Sequence, residues 1–254
     1  MVIYMNPSSI DSLFLPLAEL LANTQADELQ VKNQLSTPKE TYIADKTASI
    51  LEALQEQSKK MLHSMEMINA ILKEELNHLS NFEKENLTKE FAIASERLDR
   101  IKTHKEELTK DPKILSSNTW QRFLGLSEAT LLWLYQIGRY HYEQKCLEEA
   151  KALFHLLIML NSLDHTHWIG LGFTQKSLLE LQEALDSFAM AIILNPKNPI
   201  ARYQSAKLYL QLGQFEDALI ELEVLSEIIQ QEKLDFLKSD VEILFNKARN
   251  RQSL

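Results

Sequence analysis

Two histidines are the best candidates for site chemistry in this sequence. His165 and His167 are separated by one residue, as two metal ligands can be, but no cysteine or set of carboxylates accompanies them to complete a site. We therefore expect the imidazoles to pack at a turn beside Trp168. Asp164, directly before them, is of a residue type that caps helices, so we expect it to begin the next helix.

No other pattern points to enzyme chemistry. The sequence contains no glycine-rich phosphate loop and no nucleophile elbow, and the pairs Glu74-Glu75 and Glu148-Glu149 fit solvated helix faces. Cys146 is the only cysteine, which excludes an intrachain disulfide and favours a reducing compartment. We therefore expect no catalytic residue, no cofactor and no bound metal.

The composition fits a soluble helical protein. Of 254 residues, 45% are apolar and 25% are charged, and there are only 5 Gly and 6 Pro. A net charge of −9 argues against nucleic-acid binding, which needs clustered Lys and Arg. The longest apolar run, residues 13–22, contains Pro16 and Glu19 and is too short to span a bilayer, so we expect a cytoplasmic protein without stable membrane insertion.

The second half of the chain repeats with a period of 34 residues. Three columns keep this spacing: Gly138, Gly172 and Ala206; Ala150, Ala184 and Ala218; Phe154, Phe188 and Leu222. Small residues let two helices approach, and a large residue fills the space between repeats; this pattern is typical of the tetratricopeptide repeat (TPR), a two-helix unit that stacks into a solenoid. We predict an all-α fold with repeats at 131–164, 165–198 and 199–232, closed by a capping helix at 236–250.

The region before the repeats predicts two further zones. Residues 1–40 combine a short amphipathic helix with a polar arm. Residues 41–112 carry two coiled-coil-like apolar stripes, separated near Ser80 by stop and cap residues. An antiparallel helical hairpin is the simplest interpretation, and a single long bent helix in a dimer is the alternative. The TPR domain then covers 113–254.

A TPR solenoid has a concave face that the first helix of each repeat lines with positions 2, 5, 9 and 12. Those positions are Leu132, Tyr135, Arg139 and Tyr142; Thr166, Ile169, Phe173 and Lys176; Ile200, Tyr203, Lys207 and Leu210. The set is aromatic and aliphatic, with three cations and no acid. It predicts a groove for an extended apolar peptide. The alternative is that these residues pack against the N-terminal arm or a partner subunit.

Several motifs in this region resemble one known family. The run Leu163-Asp-His-Thr-His-Trp-Ile-Gly-Leu-Gly172, with the segments 124–138 and 147–154 before it and Leu194-Asn-Pro196 after it, resembles the class II type III secretion chaperones (SycD/LcrH-like) over about residues 120–232. The resemblance implies a bacterial cytoplasmic chaperone without ATPase activity that binds an extended segment of a hydrophobic translocator in its groove. It also implies that Tyr135, Tyr142, Phe173 and Tyr203 are groove aromatics.

The chain departs from that family in its N-terminal half. Family members have a few tens of residues before the first repeat and often dimerise through an N-terminal helix, whereas the first repeat here begins at Leu131. The helical zone 41–110 has no counterpart. The sequence therefore leaves open a homodimer and a second function, a TPR and coiled-coil scaffold or regulatory component of the secretion apparatus.

Overall fold

The computed structural model describes residues 66–103 and 120–252, together with residues 41, 63 and 64. The contacts divide the chain into two units, 1–74 and 75–254. In the first unit, residues 66–74 are helical. The predicted N-terminal arm and the end of the second apolar stripe lie outside the described residues.

The regular structure of the described residues is helical throughout, in agreement with the predicted all-α class. The helices of the second unit are α1 (Asn81–Thr103), α2 (Trp120–Leu124), α3 (Glu128–Glu143), α4 (Leu147–Leu160), α5 (His165–Ser177), α6 (Leu181–Leu194), α7 (Pro199–Gln211), α8 (Phe215–Glu232) and α9 (Lys238–Gln252), with short 3-10 helices at Leu76–His78 and Asp235–Leu237.

The helices from α3 onward pack as a solenoid. α3 packs on α4, α5 on α6 and α7 on α8, and each of these pairs also packs on the next one through α4 and α5 or through α6 and α7. α9 covers the last pair by packing on α8 and α7. The TPR fold that the 34-residue period predicts is therefore confirmed.

Polar side chains begin the first helix of each repeat. Ser127, Asp164 and Asn198 accept a hydrogen bond from a backbone N–H within the first turn of α3, α5 and α7 respectively. Asp164 is thus the predicted cap. α5 begins at His165 and α7 at Pro199, the first residues of the predicted repeats, whereas α3 begins at Glu128 because Ser127 caps it before the predicted start.

The turn inside each repeat uses one left-handed residue. Lys145, Leu179 and Gly213 have φ of 66°, 65° and 76° and occupy the same position of successive repeats. The residue after each donates its N–H back to the preceding helix, over 3.0 Å (Cys146 to His141 O), 2.9 Å (Glu180 to Gln175 O) and 2.8 Å (Gln214 to Tyr209 O). This is the Schellman helix end, which favours glycine, yet only the third repeat has one.

The large residues of the repeat pattern form the core. Phe154, Phe188 and Leu222 are at most 2% exposed. A Cβ at Gly172 would lie 2.8 Å from the Phe188 ring, so glycine is required there, as predicted. At Gly138 the nearest atom would be 3.4 Å away, an ordinary contact, so this position does not need glycine.

The tightest approach involves a glycine outside the predicted columns. A Cβ at Gly170 would lie 2.3 Å from Cε1 of Phe154, which belongs to the preceding repeat. Because Phe154 is buried in a closely packed core, its ring could move aside only by displacing its neighbours. Gly170 therefore sets the distance between the first two repeats.

α1 packs on the start of the solenoid. The Glu90 carboxylate accepts hydrogen bonds from Ser127 N (2.9 Å) and from Thr130 Oγ1 (2.5 Å), which links α1 to the first turn of α3. Burial opposes ionisation of Glu90, but these hydrogen bonds outweigh it and lower the pKa. Leu87 and Ala94 of α1 are buried.

The predicted break near Ser80 is present. Leu79 is extended, and α1 opens with a capping box, in which Glu83 Oε2 accepts a hydrogen bond from Ser80 N at 3.1 Å. Phe82 lies in the first turn of α1, beyond the break, and is 74% exposed, so the first apolar stripe ends before it. The pairing of the two stripes as a hairpin stays a prediction.

The closing helix differs from its predicted bounds. α9 spans Lys238–Gln252, and Val241, Leu244 and Ala248 form its buried face. Phe236 lies in the 3-10 turn before α9 and is 75% exposed, so the stripe that closes the solenoid starts after it.

Candidate binding groove

The predicted groove residues differ in exposure. Leu132 and Ile200, at the same position of the first and third repeats, are 58% and 49% exposed. Arg139 is also exposed, and the half-buried members of the set are Tyr135, Tyr142, Thr166, Phe173, Lys176, Tyr203, Lys207 and Leu210. Ile169 is buried with Phe188 in the core of the second repeat, so it presents no binding surface.

Aromatic rings connect this face to the core. The Tyr142 ring lies 6.4 Å from the Phe173 ring of the next repeat, and Phe173 meets the buried Phe188 edge to face at 5.6 Å. The Ser177 hydroxyl donates a hydrogen bond of 3.3 Å to the Tyr142 hydroxyl. These contacts fix the rings from behind while part of each stays accessible, as a preformed binding surface requires.

Tyr135 gives the face a second aromatic contact. Its ring lies 5.7 Å from that of Phe154, in an edge-to-face arrangement, and 6.3 Å from that of the buried His167. Burial raises the pKa of Tyr135. The phenol therefore stays neutral at physiological pH, and its hydroxyl keeps a hydrogen-bond donor.

The cations of this face have different partners. Arg139 pairs with Glu143 at 3.3 Å, on the exposed side of α3. Lys176 Nζ donates a hydrogen bond of 2.7 Å to Gln204 Oε1, which joins α5 to α7. Lys207 Nζ lies 5.2 Å from the centre of the Tyr203 ring. Burial, and secondly the charge of Lys207, lowers the pKa of Lys176.

The histidines lie at the junction between the first two repeats. His167 Nδ1 is 3.1 Å from Asn161 O, and Trp168 Nε1 donates to Ser162 O at 2.9 Å. Burial opposes ionisation of Asp164, but hydrogen bonds from Thr166 and the charges of the histidines outweigh it and lower the pKa. Within residues 66–103 and 120–252, no group of three or more His, Cys, Asp or Glu side chains is placed to hold a metal ion.

Two contributors to the face were missing from the predicted set. Gln204 contacts Lys176, and Lys145 lies over the Tyr142 ring at 5.6 Å. Gln204 directly follows Tyr203, so a wider choice of positions would have included it. Lys145 belongs to the turn after α3, which a rule based on helix positions does not cover.

The fold and the repeats are those of a tetratricopeptide repeat protein. The family model described as "Tetratricopeptide repeat" matches residues 180–236. A T3SS complex from Aeromonas hydrophila has the same fold, with a TM-score of 0.54 and 22% identity, over 56% of this chain and 96% of that chain. Among the described residues, no helix is long and apolar enough to cross a membrane.

Comparison with curated sequences and with solved structures then finds similar proteins. Low calcium response locus protein H of Yersinia pestis is 25% identical over 127 residues, which cover 50% of this chain and 76% of that relative. The type III secretion translocator chaperone SycD of Yersinia enterocolitica is 23% identical, with a TM-score of 0.49, over 52% of this chain and 98% of that chain. The chain is a homologue of Low calcium response locus protein H, and the resemblance that the motifs indicated is confirmed.

Proposed function

We propose that this protein is a non-enzymatic type III secretion chaperone of the bacterial cytoplasm. Its concave TPR face binds an extended apolar segment of a secreted translocator or effector protein. The bound segment is kept from self-association and from membrane insertion until export. The homology to Low calcium response locus protein H supports this assignment.

One observation carries the proposal: apolar side chains stay accessible on the face that the first helices line. Leu132 and Ile200 are about half exposed at its two ends, and the Tyr142–Phe173 contact lies between them. Accessible apolar side chains mark an interaction site when they form one contiguous patch, which a bound peptide would cover here. Burying this surface contributes about 25 cal/mol per Å² of apolar area to the free energy of peptide binding, less the cost of ordering the peptide.

The polar groups of the face suit an extended backbone. A peptide without regular structure has unpaired carbonyls, and the Tyr135 hydroxyl, the Arg139 guanidinium and the Gln204 amide are donors on the same face. Hydrogen bonds to the peptide backbone do not depend on its sequence. They would let one groove hold a segment whose side chains match only the apolar positions.

The scaffold alternative has one observation in its favour. α1 packs on the start of the solenoid through Glu90, so part of the zone without a counterpart in the family is an integral part of the TPR unit. A scaffold would hold a permanent partner, whereas a chaperone exchanges its client. Pulse-labelled client that chases out of the complex supports the chaperone, and client that never leaves supports the scaffold.

The groove is tested by co-purification from the bacterium that encodes the chain. We expect Leu132→Glu combined with Ile200→Glu to lose the co-purifying secreted protein, because each places a charge in the apolar surface. Tyr142→Ala should weaken the complex. Ile193→Glu is the matched control, since Ile193 is 68% exposed but lies on α6, a second helix. Phe173 is a poorer target because it packs on the core.

The outcome is decided by comparing folded variants. Circular dichroism must show that all variants keep the wild-type helix content and melting transition. Client recovery with the control and its loss with the double variant support the groove. Equal recovery with the double variant contradicts the proposal.

A further inference from the structure

The concave face has an unbalanced positive charge at the junction of the second and third repeats. Lys176 and Lys207 are both half-buried, and the described part of the chain (66–103 and 120–252) contains no ion pair that includes either of them. This contrasts with Arg139, which Glu143 neutralises. The charge is local, because the whole chain carries −9.

The two ammonium groups share one small area of the face. Gln204 and Lys207 are three residues apart on α7 and therefore lie on the same side of that helix. Gln204 Oε1 accepts the hydrogen bond from Lys176 Nζ, which brings Lys176 to that side. The mutual repulsion of the two lysines also contributes to the lowered pKa of Lys176, after burial.

The partners of both lysines are neutral. Lys176 bonds to an amide oxygen, and Lys207 rests on the Tyr203 ring. Asp240 belongs to α9, which packs on α7, and burial, and secondly the Asp240 charge, raises the pKa of Tyr203. No ion pair in the described part of the chain joins Asp240 to Lys207. An ammonium group has three donors and gains most from an anion, so this area is incomplete without one.

We propose that the client segment carries an aspartate or glutamate that binds between Lys176 and Lys207, within an otherwise apolar sequence. This inference rests on the proposed function and adds a specificity determinant to it. Apolar residues on both sides of the acid would cover the Tyr142–Phe173 surface and Ile200. The acid fixes the register of the peptide, because a shift along the groove would bury the carboxylate against apolar side chains.

The test is selection of random short peptides, displayed on phage, against the full-length chain. Peptides selected by the wild type should carry Asp or Glu at one fixed distance from apolar residues. Lys176→Gln combined with Lys207→Gln should remove this preference while still selecting apolar peptides. Lys176→Glu combined with Lys207→Glu should invert it, so that Lys or Arg appears at the same position.

The contribution of the acidic residue to the affinity can then be measured with one selected peptide. Replacing its acid by the matching amide should weaken binding to the wild type about tenfold, the scale of one charge-assisted hydrogen bond. The same change should leave binding to the double Gln variant unaltered. Asp240→Asn, which removes a competing charge, should tighten binding of the acidic peptide.

The results separate this inference from the proposed function. Apolar peptides without an acid preference, which still fail to bind the Leu132→Glu and Ile200→Glu variant, would leave the groove intact and overturn the acidic determinant. Peptides that bind this variant as well as the wild type would contradict the groove itself. An acid preference that persists in the double Gln variant would also overturn the assignment to these lysines.

Discussion

Replacing Gly170 by alanine tests how the first two repeats are joined. The added Cβ would lie 2.3 Å from Cε1 and 2.6 Å from Cδ1 of Phe154. Gly138, on α3, faces the same ring within the first repeat, but a Cβ at Gly138 would be 3.4 Å from Cζ of Phe154. The two substitutions are chemically identical, so Gly138→Ala is a matched control.

The two substitutions should change the free energy of unfolding in opposite directions. Alanine in place of glycine within a helix stabilises it by about 1 kcal/mol, and Gly138→Ala should gain up to this amount. Gly170→Ala gains the same helix preference but forces a contact roughly 1 Å too short on a buried ring, and overpacking of this kind costs about 1–3 kcal/mol. We therefore expect Gly170→Ala to destabilise the protein by up to about 2 kcal/mol net, and to be less stable than Gly138→Ala.

Urea unfolding followed by circular dichroism measures both variants. The double variant Gly170→Ala with Phe154→Leu should lose less stability than the two single changes together, because the smaller side chain leaves room for the methyl group. A Gly170→Ala protein as stable as Gly138→Ala would show that Phe154 does not restrict this position. So would additivity in the double variant, since it would mean that the two residues do not interact.

Three further predictions concern stability. Arg202 Nη1 lies 2.7 Å from Glu221 Oε2, and both side chains are less than one fifth exposed. Glu221→Gln should therefore lower the free energy of unfolding, measured in urea, by about 2 kcal/mol. An unchanged value would show that the pair does not stabilise the protein. Leu179 has a left-handed backbone and is 81% exposed, so Leu179→Gly should stabilise the protein by about 1 kcal/mol. Gly213→Ala should destabilise it by a similar amount in the same urea unfolding. A destabilising Leu179→Gly or a stabilising Gly213→Ala would contradict backbone strain at this position. Asp164 has a pKa below its ordinary 3.8, so its contribution to stability is complete above pH 3.8 and is lost as the pH falls through the lowered pKa. Asp164→Asn should weaken this loss of stability in acid, measured by thermal melts. An unchanged dependence of the melting temperature on pH would contradict this role of Asp164.

The repeat pattern predicted the frame of the structure because the same local contacts recur in each unit. A period of 34 residues requires that equivalent helices begin at equivalent residues, and α5 and α7 begin at His165 and Pro199 as expected. The period did not reveal the left-handed turns at Lys145 and Leu179. Glycine marks this conformation only in the third repeat, and the other two residues give no local signal for it.

The groove could be predicted only in part, because the same position of a repeat can face the surface or the core. Tyr135 and Tyr203 carry a polar hydroxyl and are half-buried, whereas Ile169 at the equivalent position has no polar end and is buried in the core. The link from Glu90 to Ser127 was not predictable for a different reason. It joins residues 37 positions apart across the start of the solenoid, where no repeat pattern applies.

The most direct test of the central claim is photo-crosslinking in the living bacterium. A photoreactive phenylalanine analogue replaces Leu132 or Ile200 on the concave face, and Ile193 on α6 as the control, at positions that are all about half exposed or more. We expect irradiation to link the first two variants to one apolar secreted protein and to leave the Ile193 variant unlinked. Crosslinks to that protein from Ile193 alone, or from all three positions equally, would contradict a client-binding groove.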